Sequence, residues 1–215
     1  MKIKVCGMKF KDNIKEVASL QPDYLGFIFW EPSSRFFNGD IPKTIKDTIK
    51  KTGVFVDEKV SVIVKLIKKH DLKAIQLHGT ESAAFCASLK SQLTKEVIFP
   101  IEIIKVFSIK DNFDFTLLKA YELVCDFFLF DTKGKLPGGN GYTFDWSVLK
   151  GYPSQKPYFL SGGIGITEID KIQQFLKEPM AKYCYAIDVN SKFELEPGLK
   201  NAKLLIDFVS SIKQL

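Results

Sequence analysis

Eight short apolar runs recur along the whole chain, and they restrict its possible folds more than any other feature. They are Ile3 to Cys6, Tyr24 to Phe29, Gly53 to Val56, Ala74 to Leu77, Ile101 to Phe107, Phe127 to Asp131, Tyr158 to Ser161 and Tyr183 to Val189. Each is rich in branched or aromatic residues and almost continuously apolar, the pattern of strands buried on both faces. Amphipathic stretches lie between them. VSVIVKLIKKH puts Val60, Ile63, Val64 and Ile67 on one helical face, and ESAAFCASLKSQL and LKNAKLLIDFVSSI also read as helices. The segment Asp145 to Leu149 has room for only one or two turns.

Strands that alternate with helices in this way run parallel. Two architectures remain, a closed (β/α)8 barrel and an open doubly wound sheet. The doubly wound dinucleotide fold places GxGxxG after its first strand. Here the first run is followed by CGMKFK, and the glycine clusters come late, at Gly138 to Gly141 and Gly162 to Gly165. Glycines after the seventh strand fit the phosphate site of a barrel. The expectation is therefore a single (β/α)8 TIM barrel over residues 1–215. No linker, low-complexity tract or further repeat divides the chain.

Composition removes several classes of function. The net charge of +6 comes from scattered lysines, not from the concentrated basic stripe that nucleic acid requires. A mildly positive field suits a small anionic substrate. Cys6, Cys86, Cys125 and Cys184 contain no CxxC pair, and there are only two histidines, so neither a zinc site nor a disulfide framework is expected. Lysines at 2, 4, 9 and 11 interrupt any signal-peptide core, and no apolar run reaches membrane-spanning length. A reduced, cytoplasmic protein is expected, without nucleic-acid or membrane partners and as either a monomer or a homodimer.

In a barrel the active site lies at the C-terminal ends of the strands. Read in order, those ends carry Cys6, Arg35 in the second loop, Asp57, His78, Asp131, Ser161-Gly162-Gly163 and Asp188-Val189-Asn190. Each also has a plain structural reading. A buried cysteine is ordinary packing, Arg35 is an ordinary loop arginine, and His78 serves equally as a core or capping residue. Asp131 closes the very apolar FFLFD, where a carboxylate is costly without a partner or a role. LSGGIGITEID reads as strand, glycine turn and helix, a phosphate cradle or a plain turn with a Thr167 cap. The glycine-rich stretch after Asp131 has the length and composition of many lids. His70, near a helix C-terminus, is given no role beyond a mildly favourable partial charge.

Taken together, KVCGM, PSSRFF, GVFVDE, IQLHGTES, FLFDT, GGNGYTFDW, LSGGIG and AIDVNS occur in the order found in phosphoribosylanthranilate isomerases, and the chain resembles that family over its whole length. The resemblance implies an Amadori rearrangement in tryptophan biosynthesis on a small phosphorylated substrate, with no cofactor and no metal. It implies Cys6 as general base and Asp131 as general acid. It assigns Arg35 to the carboxylate of the aromatic acid and His78 to the wall of the site. The phosphate falls to Gly162, Gly163, Asp188, Asn190 and Ser191. Two departures from the family pattern stand out. After the eighth strand Asn190 stands for a serine and Lys192 for a glycine, the latter at a cost of about 1 kcal/mol if that position had a positive φ. Asp57 stands where asparagine is common. In this chemistry Cys6 needs a locally lowered pKa to act as a thiolate base, and Asp131 needs a raised one to act as acid. The rival readings are another isomerase or epimerase of a sugar phosphate, and a non-catalytic barrel that only binds a phosphorylated ligand.

Overall fold

A computed structural model describes residues 1–110, 112–132 and 143–214. Strands β1 (Lys2–Val5), β2 (Tyr24–Ile28), β3 (Lys50–Phe55), β4 (Ala74–Leu77), β5 (Glu102–Ile109), β6 (Phe127–Thr132), β7 (Tyr158–Leu160) and β8 (Cys184–Val189) pair in sequence order, and β8 closes on β1. Every pairing is parallel. The eight apolar runs are thus the eight staves of the expected barrel, with ends that differ by a few residues.

Side chains alternate between the two faces of each strand. The barrel interior takes Tyr24, Ala74, Ile104, Val106, Phe127, Leu129, Phe159 and Ala186, all buried. Tyr24 and Phe127 both meet Phe159 edge-on, at 5.2 and 5.4 Å between ring centres. The other face carries Ile3, Val5, Leu25, Phe27, Phe128 and Phe130 into the outer core under the helices.

The outer layer is less regular than eight strand–helix repeats. The α-helices are α1 (Lys11–Ser19), α2 (Val60–His70), α3 (Ala83–Glu96), α4 (Ile169–Leu176) and α5 (Ala202–Lys213). Among the described residues, the connections after β5 and β6 carry short 3-10 turns in place of a helix, Phe115–Tyr121 and Trp146–Gly151. No helix joins β2 to β3. That connection buries Phe37, Ile41, Ile45 and Ile49 at a spacing of four. Gly39, Pro42, Thr44 and Thr48 oppose a helix there, so the apolar residues cover the barrel from irregular backbone.

His70 ends α2 as a buried ring stacked on Phe29, at 5.3 Å between ring centres. Burial, together with Lys69, pushes its pKa down, which opposes the favourable charge expected of it. After β8 the chain makes one 3-10 turn (Ser191–Phe193) and a small antiparallel hairpin, β9 (Glu194–Glu196) with β10 (Leu199–Lys200). The glycine-rich stretch read as a lid lies, over 133–142, outside the described residues.

Candidate active site

The alternation that fills the barrel with apolar side chains also aims polar ones at its C-terminal mouth. Two residues beyond inward-facing Leu129 comes Asp131, beyond Phe159 comes Ser161, and beyond Ala186 comes Asp188. All three line one cavity, and so do Cys6, Arg35, His78, Gly162, Gly163, Asn190 and Ser191. The nine residues singled out from the sequence as a candidate site are therefore brought to one place. Asp57 is not among the lining residues. Its backbone has φ 51°, a conformation that Asp and Asn tolerate best after glycine. Its carboxylate accepts from the Thr80 N–H (2.7 Å) and hydroxyl (2.9 Å), tying the β3 and β4 loops together.

Cys6 follows β1, donates its N–H to the Val189 carbonyl at 2.9 Å and is buried. Gly26 on β2 makes room for it, because a Cβ there would lie 2.7 Å from the sulfur. Burial pushes the Cys6 thiol up; Lys4 and Lys200 pull it down and Asp188 pushes it further up. The net direction is upward, the reverse of the lowered thiol that a resting thiolate requires.

Lys4 is one of the residues the sequence reading passed over. It interrupts the first apolar run, faces into the barrel and has no exposed surface. Its ammonium donates to Asp188 Oδ1 at 2.8 Å, directly across the β1–β8 register. Ser161 Oγ donates to Asp188 Oδ2 at 3.1 Å. Burial works against the charge on Lys4, but Asp188 and Cys6 outweigh it and hold its pKa above the ordinary value.

On the opposite wall, His78 Nε2 stands 3.4 Å from Asp131 Oδ2, and Asp131 Oδ1 accepts the Thr132 N–H at 2.9 Å. Gln76, two residues before His78 on the inward face of β4, lies 3.1 Å from its Nδ1 through its amide nitrogen. Where the Gln76 amide donates to it, Nδ1 is the acceptor and the ring N–H is the Nε2 side, toward Asp131. Gln76 Oε1 and His78 Nε2 are buried without a hydrogen-bond partner among the described residues. Gln76 is legible in IQLHG only in hindsight, as a polar side chain two positions ahead of the histidine.

The turn after β7 needs its glycines. Gly162 and Gly163 have φ of 91° and 66°, and a Cβ on Gly162 would lie 2.2 Å from Thr132 Oγ1. The segment that follows is one 3-10 turn (Ile166–Glu168) leading into α4. Its N-cap is Gly165, whose N–H donates to the Glu168 carboxylate at 2.6 Å, so Thr167 does not cap it. Ser191 opens the turn after β8. Lys192 lies within that turn at a negative φ, so the strain weighed for it does not arise.

Arg35 reaches the cavity wall already engaged. Its Nε lies 2.9 and 3.0 Å from the two Glu194 oxygens, and Nη2 lies 2.7 Å from Oε2. Among the described residues, no three His, Cys, Asp or Glu stand where they could share a metal ion, and no helix is long and apolar enough to cross a membrane.

The chain and its barrel have known counterparts. Residues 3–211 match the family model described as N-(5'-phosphoribosyl)anthranilate (PRA) isomerase. An N-(5'-phosphoribosyl)anthranilate isomerase of Parabacteroides distasonis is 39% identical, over 99% of this chain and 93% of the relative. The crystal structure of the Thermotoga maritima phosphoribosyl anthranilate isomerase superposes with a TM-score of 0.82 at 26% identity, covering both chains completely. A phosphoribosyl anthranilate isomerase solved with reduced 1-(o-carboxyphenylamino)-1-deoxyribulose 5-phosphate superposes at 0.78 with 23% identity and the same coverage.

Proposed function

The chain belongs to the N-(5'-phosphoribosyl)anthranilate isomerase family, and from that premise we propose that Cys6 and Asp131 carry its reaction by general acid–base catalysis within one barrel domain. The activity is the isomerisation of N-(5'-phosphoribosyl)anthranilate, a step of tryptophan biosynthesis. The observation that carries the assignment is a single cavity lined at once by Cys6, Asp131, Arg35 and the Gly162–Gly163 turn.

Asp131 delivers a proton to the ribose ring oxygen, the ring opens, and the nitrogen is left as a protonated Schiff base. That cation acidifies the neighbouring C2' hydrogen. Cys6 removes the proton, and the resulting enolamine tautomerises to the ketone, 1-(2-carboxyphenylamino)-1-deoxyribulose 5-phosphate. Each proton transfer of this kind contributes about 10²–10⁴-fold to rate. The raised thiol of the resting site is met by the reaction itself. A cationic intermediate beside Cys6 joins Lys4 and Lys200 in favouring the thiolate when the proton must move.

The remaining roles follow from donor and acceptor chemistry. The backbone N–H groups of Gly162, Gly163 and Ser191, with the Asn190 amide, suit the phosphate. Asp188 is an acceptor held by Lys4 and Ser161 and suits a ribose hydroxyl, so we move it out of the phosphate set. Arg35 meets the carboxylate of the aromatic acid. The phosphorylated sugar is the partner expected, bound by a monomer or a homodimer. The test is to add freshly generated N-(5'-phosphoribosyl)anthranilate and follow its disappearance. Turnover by the unmodified chain and its collapse in folded Cys6→Ala support the reading; equal turnover by both overturns the role of Cys6.

A further inference from the structure

Arg35 and Lys200 share one carboxylate. Behind the cavity wall, Glu194 accepts from Arg35 through both oxygens, from Lys200 Nζ at 2.7 Å and from the Gly198 N–H at 3.0 Å. The Lys200 side chain has no exposed surface, and the Glu194 side chain keeps 5% of its own. Neither lines the cavity. Lys200 is clamped into place through its backbone, which exchanges two hydrogen bonds with the Asn13 side chain of α1, at 2.7 and 2.8 Å. Its ammonium also donates to Asn190 Oδ1 at 2.6 Å, which fixes the orientation of that cavity-lining amide.

The charges in this cluster do not cancel. Two cations face one carboxylate, so one positive charge remains on the side of the mouth formed by β1, the β2 loop and β8. Without Lys200, Glu194 would balance Arg35 alone and the guanidinium would offer a substrate little net charge. We propose that Lys200 is a specificity-determining residue: by sharing Glu194 with Arg35, it keeps the charge of Arg35 available to the carboxylate of the aromatic acid, and it orients Asn190 at the same time. The inference rests on the assignment of Arg35 made above. A buried surplus cation should lose its proton readily, and the direction agrees. Burial lowers the Lys200 pKa to about 8, with Arg35 adding to the effect and Glu194 and Cys6 opposing it.

The test compares kcat/KM for N-(5'-phosphoribosyl)anthranilate with that for N-(5'-phosphoribosyl)aniline, which lacks the carboxylate. The intrinsic reactivity of the two substrates is common to every variant, so only the change in their ratio matters. Lys200→Met should lower the ratio by about tenfold or more, the loss of a charge-assisted contact, and Lys200→Arg should restore much of it. A merely structural lysine would lower both rates and leave the ratio alone. An unchanged ratio in folded Lys200→Met overturns the proposal.

Should that variant fail to fold, the ratio is read on the unmodified protein as pH rises through about 8. It should fall as Lys200 loses its charge, and a flat ratio is equally fatal. The groups facing Lys200 are Glu194, Arg35, Asn190 and Cys6. Cys6 titrates too, but it acts on both substrates alike and cancels. Arg35→Met is the control. If it also leaves the ratio unchanged, the role of Arg35 is wrong; if it alone collapses the ratio, only the role of Lys200 is.

Discussion

His78 Nε2 and Asp131 Oδ2 face each other at 3.4 Å on one wall of the barrel mouth, each carried there at or just past the C-terminal end of its own strand, β4 and β6. The acid is thus anchored through one oxygen by the Thr132 N–H, and its other oxygen is turned toward His78. A group positioned in this way is expected to matter to the chemical step more than to binding.

Asp131→Asn keeps the shape and removes the transferable proton. It is expected to lower kcat by about 10²–10⁴-fold with a much smaller change in KM. Steady-state kinetics on the folded variant decide the matter, and a near-native kcat means the acid is another group.

Cys6→Ser is expected to cost kcat on a similar scale, because a hydroxyl is a far weaker base than a thiolate at a nearly identical position. Burial pushes the thiol up, so kcat/KM should climb with pH between about 6 and 8, as the fraction able to act as base grows. A profile that is flat over that interval is incompatible with Cys6 as the base.

Lys4→Met should be a stability variant as much as a catalytic one. It strips the buried partner from Asp188 and leaves an uncompensated carboxylate inside the barrel, a change worth about 3–5 kcal/mol. Urea midpoints measure this directly. Adding Asp188→Leu should return much of the loss, since an apolar pair of similar volume avoids the buried charge, and no recovery in the double variant counts against the account.

Lys200 should leave a thermodynamic trace. It titrates near 8 in the folded chain and at an ordinary 10.5 when unfolded. Between those values the unfolded chain binds more protons, so this group's contribution to stability rises with pH and its penalty is greatest below about 8. The full span amounts to about 3 kcal/mol. The stability of the unmodified chain minus that of Lys200→Met, measured at a series of pH values, should rise across this window. A constant or falling difference excludes the lowered pKa.

Several parts of this protein were legible from local sequence. Buried parallel strands must be apolar on both faces, so β1 to β8 announce themselves as runs such as AIQL and YFL. An amphipathic helix announces itself as clearly, and α2 was readable to the residue in VSVIVKLIKKH. The end of a strand is where a buried run must change character, which made Cys6, His78 and Asp131 visible as candidates. Their roles rest on the resemblance and on chemistry, because a strand end alone does not distinguish a catalytic thiol from a packed one.

What only the tertiary structure decided is which polar groups answer one another across the chain. Lys4 meets Asp188 because barrel closure sets β8 beside β1, 184 positions apart. Arg35 and Lys200 meet at Glu194 because a hairpin after β8 folds against the β2 loop. The missing helix between β2 and β3 also escaped the sequence, since Phe37, Ile41, Ile45 and Ile49 keep a helical spacing while Gly39 and Pro42 deny the helix. Periodicity reports which side of a segment is buried, a local property. The charge of a buried cluster is a sum over residues distant in sequence, and only closing the barrel brings its members together.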